Sequence, residues 1–213
     1  MAFWTALFGK TKVTNETPPA LDRVRLQVYS TNYFGVRAIE QTKSPMAIRP
    51  LAPGLVTALV EDLGGAERML AWDLVDAFGT SRDEMFALAQ RQGAASETAV
   101  HSEVIENTVE VLVSNGFFLS AFMLERLATR EPKQGALFVP LSWHHWCVHI
   151  IGAMSVPPVV PFLHAVAGQI GDTIQVTDAE TLVRDVYWYR PDRTIEKLAN
   201  QAPSAELARL LAS

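Results

Sequence analysis

Cysteine occurs once in the 213 residues, as Cys147, so no internal disulfide framework is available and the usage suits a reducing cytoplasm. Clustered positive charge is missing too. Lys and Arg number 18 against 23 Asp and Glu, giving a formal net charge of −5, and no basic run is longer than a pair. Nucleic-acid binding needs clustered cations that displace counterions, so that class is disfavoured. Dinucleotide-binding Gly-x-Gly-x-x-Gly and nucleophile-elbow Gly-x-Ser-x-Gly patterns do not occur. Gly9-Lys10-Thr11 resembles the end of a phosphate-binding loop, but Trp4 stands where the first glycine is required and no strand precedes it. A secretory signal is not expected either. Lys10 and Lys12 follow the short apolar patch Phe3, Trp4, Leu7 and Phe8, where a signal peptide carries its charge first. Without such a signal, the acceptor-like Asn15-Glu16-Thr17 carries no meaning.

The largest absence is internal. The 38 residues between Lys133 and Asp172 contain no Asp, Glu, Lys or Arg, where the chain-wide 19% would place about seven. The window holds His144, His145, His149 and His164, Cys147, and Trp143 and Trp146. A membrane-spanning helix needs about 20 apolar residues. Pro157, Pro158 and Pro161 interrupt this window and histidines occupy its front half, so a buried soluble core is expected.

What is present reads as one domain. Residues 1–18 form an apolar turn and linker, with weak membrane-surface contact by residues 1–12 as its sharper reading. Residues 19–213 follow as a single α+β domain with a mixed sheet flanked by helices; all-α is the alternative. The spacing of Leu21, Val24 and Val28 predicts a helix through about residue 40. Leu55–Glu61 reads as a strand between Pro53-Gly54 and Gly64-Gly65, whereas Arg68–Val75 fits a strand or a helix. Ser81-Arg-Asp-Glu84 has capping-box form and opens a helix ending near Gly93. A loop is expected over 94–102, a strand over Thr108–Val113, a turn at Ser114–Gly116, a helix over Phe117–Ala128 and a strand over Ala136–Leu141. Further on, the pattern predicts helices at Trp143–Ile151, capped by Ser142, and at Val159–Gln169. Thr173–Val176 reads as a short strand, Val186–Tyr189 is ambiguous, and 193–212 reads as a terminal helix broken near Pro203.

The order of Arg49-Pro50-Leu51, a strand pair, Ser81–Ala89, Ser114–Leu127 and a strand ending at Pro140 resembles the uncharacterised bacterial YtpQ-like family over roughly residues 45–150. Where that family would carry a polar, acidic turn after the proline, Leu-Ser-Trp-His-His stands here. The resemblance implies a bacterial cytosolic protein and no particular activity.

Two functional classes compete. One is a non-enzymatic interaction or regulatory domain without a cofactor, its partner a protein or a second copy. The run Tyr187-Trp188-Tyr189-Arg190 has the composition of a binding hot spot, with Trp143 as a further anchor. The other is a metal-dependent hydrolase. Four apart on a helix, His145 and His149 would share one zinc ion. Trp146 occupies the place of the water-activating glutamate, so further ligands would come from Glu103, Glu106, His101 or His164. Cys147 activated by His144 or His149 is a third, less favoured possibility.

Overall fold

The computed structural model describes residues 19–33, 46–130, 134–152, 158–175, 180–199 and 202–212. It is a single α+β domain built on two antiparallel sheets. A 3-10 turn at Leu21–Arg23 leads into β1 (Val24–Ser30), and β2 (Ile48–Ala52), β3 (Leu55–Asp62) and β4 (Glu67–Met69) complete the first sheet. Its order is β1-β3-β2, with β4 also on β3. Helices α1 (Trp72–Asp76) and α2 (Arg82–Ser96) follow, then the hairpin β5 (Val100–Ile105) and β6 (Val109–Ser114). Next come α3 (Leu119–Arg130), β7 (Ala136–Ser142), β8 (His145–Ile150), α4 (Val159–Thr173), β9 (Tyr187–Tyr189), β10 (Ile195–Lys197) and α5 (Ala205–Leu211). The second sheet has the order β10-β9-β7-β8-β6-β5.

The α+β reading holds, while every described strand pairing is antiparallel and falls in two sheets, not one mixed sheet. Locally encoded elements sit where the sequence placed them. Ser81 accepts from the Glu84 amide and Glu84 reaches back to the Ser81 amide, so α2 starts on a complete capping box. The undecided stretch after Arg68 divides into β4 and α1.

Several expectations are corrected. The helix predicted from Leu21 is β1 instead: Val24, Leu26 and Val28 alternate with Arg25, Gln27 and Tyr29, and pairing with β3 over the strand's full length overrides the helical spacing. The second half of that predicted helix, from residue 34, lies outside the described residues. The helix predicted at 143–151 is β8, hydrogen-bonded between β7 and β6. The loop expected over 94–102 instead carries the end of α2, to Ser96, and the start of β5, which forms the edge of the second sheet. Thr173 ends α4 rather than opening a strand. Val186–Tyr189 resolves to a strand, and the terminal helix shrinks to α5 behind β10.

The second sheet is covered on both faces. Leu112, Phe138, Trp146 and Tyr187 belong to a core shared with the first sheet, α2 and α3. Val111, Leu137, Val139, Cys147 and Trp188 face the other way and pack with Leu163 and Val166 of α4 and Leu207 of α5. Phe138 is stacked between Trp146 and Tyr187, at ring-centroid distances of 5.3 and 5.4 Å. The strands of the charge-free window, β7 and β8, therefore lie in the middle of the molecule, where an unpaired ion would be costly.

Candidate functional site

The histidines are distributed, not convergent. On a strand, residues four apart share a face but stand about 13 Å apart, so the closeness that a helix would have given His145 and His149 is lost. His145 Nδ1 lies 3.1 Å from the Ser142 hydroxyl, which also accepts from the His144 amide at 3.1 Å. His144 donates through Nδ1 to the Gly116 carbonyl (2.8 Å), and its Nε2 is 3.7 Å from the Glu180 carboxylate. His149 is 2% exposed and donates through Nδ1 to the Thr108 carbonyl at 2.7 Å. Burial holds His149 below the usual imidazole range against the opposite pull of that carbonyl; burial, then neighbouring His144, does the same to His145. Each of the three rings is thus fixed by a backbone or hydroxyl partner.

The further ligands proposed from sequence do not complete a cluster. His101 and Glu103 stand on β5, two strands from β8, with Val113 and Val111 of β6 between. Glu106 is in the β5–β6 turn at φ 47°, and His164 is on α4. Among the described residues no group of three or more His, Cys, Asp or Glu is placed to hold a metal ion. Cys147 is fully buried, and burial pushes its thiol up to about 12, far from thiolate chemistry at neutral pH.

The aromatic run is mostly interior. Trp188 and Tyr187 are fully buried and Trp143 nearly so. Their polar atoms are engaged within the fold: Trp143 Nε1 with the Val28 carbonyl (3.1 Å), Tyr187 with the Pro53 carbonyl (2.8 Å) and Trp188 Nε1 with the Gln134 carbonyl (3.3 Å). Trp143 and Tyr187 brace the two sheets against each other, Trp188 packs on the far face of the second sheet, and Tyr189 lines an open cleft. The patch Phe3, Trp4, Leu7 and Phe8 lies outside the described residues.

Tyr189 leads to what the sequence did not reveal. It lines a half-open cleft of about 400 Å³ where the first sheet, α2, α3 and the β9–β10 hairpin meet. Leu26, Phe86, Leu124 and Ile195 make the apolar floor. Arg91 and Arg193, exposed, and the partly covered Glu125 form the rim. Glu125 accepts from Gln90 at 2.8 Å, whereas Arg91 forms no ion pair among the described residues. The volume is within the range of ligand sites, which are typically apolar with a few placed polar groups. Five separate stretches of chain contribute to it, so no local motif marks it.

No protein-family model, curated protein or solved structure matches the chain. The YtpQ-like resemblance rests on the order of its elements alone. No helix among the described residues is long and apolar enough to cross a membrane.

Proposed function

We propose that the protein is a non-enzymatic interaction or regulatory domain of the bacterial cytosol, and that the α2–α3 cleft is where a partner protein engages it. The supporting observation is the cleft's chemistry: an apolar floor beside Arg91, a cation with no described counter-ion. That combination fits a partner segment presenting a bulky apolar side chain next to a carboxylate. An apolar anchor filling a pocket supplies most of such an affinity, and the rim charge selects and steers it. The histidines and Cys147 serve the fold in this reading.

The test uses a defined probe. Isotope-labelled protein is titrated with the acetylated, amidated tetrapeptide Leu-Phe-Asp-Asp and followed by NMR. Shifts gathered on Ala87, Gln90, Arg91, Leu124 and Ala128 are expected, and Arg91→Glu should weaken the response about tenfold or more. Shifts spread elsewhere, none at millimolar peptide, or an Arg91→Glu response equal to wild type would overturn the assignment.

A further inference from the structure

The second sheet ends on β5, whose outer edge is paired with no other strand among the described residues. Residues 101–104 are exposed, and Val104 is 59% exposed, the most open large apolar side chain described. A six-residue edge with a bare valine is a template for pairing with another chain. The order of side chains along it says which chain. His101, Glu103 and Ile105 stand opposite Val113, Val111 and Val109 of β6, on one face; Val100, Ser102 and Val104 are on the other.

Two copies of β5 joined antiparallel about a twofold axis must keep like faces together, so the axis passes through a residue, not between two. Centring on His101 brings two imidazoles together. Centring on Glu103 sets two carboxylates directly opposite, which is unfavourable. Centring on Ser102 places His101 of each copy opposite Glu103 of the other, a donor facing an acceptor twice, and sets Val100 opposite Val104. We propose that the protein forms a homodimer through β5 in this Ser102-centred register, extending the sheet across both copies. The interface buries Val104 and satisfies the open backbone edge. It lies at the opposite edge of the sheet from β10, so the two α2–α3 clefts remain free and the dimer is bivalent.

The experiment is sedimentation equilibrium on the full chain, with circular dichroism melting to show that each variant folds. Wild type is expected to dimerise. Glu103→Lys should raise the dissociation constant about tenfold or more, because two opposed pairs are lost at once. Glu103→His alone sets imidazole against imidazole and should weaken the dimer. The exchange His101→Glu with Glu103→His restores complementarity and should recover the wild-type constant. A wild-type chain that stays monomeric at several hundred micromolar, or a dimer indifferent to Glu103→Lys, overturns the proposal. So does a double exchange no tighter than Glu103→His alone.

Discussion

Tyr29 of β1 donates its phenolic hydrogen to Glu67 Oε1 of β4, and the other carboxylate oxygen, Oε2, is buried with no hydrogen-bond partner. Tyr29 is in turn held edge-on against Trp143, at 5.5 Å between ring centroids and 90°. Glu67 is partly exposed as a residue, but its carboxyl is withdrawn from water, and that burial raises it from 4.5 to about 7 despite the stabilising bond from Tyr29.

A carboxyl raised on folding binds its proton more tightly in the native state. Its penalty is absent below about pH 4.5, grows as pH rises through the window to about 7, and is complete above it, on the order of 3 kcal/mol. Glu67→Gln keeps an acceptor for Tyr29 and carries no charge. Thermal melts should therefore show the variant more stable than wild type at pH 8 and nearly equal to it at pH 4.5. A constant difference across that range would show that the Glu67 carboxyl is not desolvated.

Cys147 gives a second measurement. With its thiol fully buried and raised to about 12, native protein at pH 8 should resist a thiol-reactive disulfide reagent for as long as it stays folded. In denaturant one equivalent should react at once. Rapid native labelling would place the sulfur in contact with solvent and reopen a chemical role for it.

The entry to α3 supplies a third. Glu97, at the end of α2, accepts from the Ser114 hydroxyl and from the Phe118 amide at 2.9 Å. A Cβ added at Gly116 would collide with the Glu97 carboxylate, meeting Oε1 first. Gly116→Ala should cost about 2–3 kcal/mol, and Glu97→Ala a similar amount through the two donors left unmet. The double variant should be much less destabilised than the sum, because truncating the Glu97 side chain removes the atom that the new methyl meets. Additive losses in chemical denaturation would show that the two residues act separately.

What the sequence disclosed follows physical range. The α2 start is written in four consecutive residues, and β3 in a short β-branched run between turn formers, so both were legible. β8 was not. His-Trp-Cys-Val-His-Ile is covered on both faces, which erases the alternation that marks a half-exposed strand, and a short apolar run of that kind looks the same as buried helix. β1 did alternate through Val24, Leu26 and Val28, yet Leu21, Val24 and Val28 also fit a helix; pairing with β3, far along the chain, decided between them. β5 buries little, so burial left no mark on it. The aromatic run read as a hot spot because Tyr and Trp suit interfaces and cores alike; their carbonyl partners at Val28, Pro53 and Gln134 are distant in sequence. The cleft, drawn from five stretches, was invisible for the same reason.

The covering of the second sheet by α4 has a consequence during synthesis. The ribbon 136–150 leaves the ribosome before residues 159–173 that shield one of its sides. At about 5–20 residues per second, Leu137, Val139 and Cys147 wait on the order of one to a few seconds for that shield. A nascent chain stalled in this interval would carry an oily flank, which makes it a natural client for holding chaperones and the point at which slowed translation would do most harm.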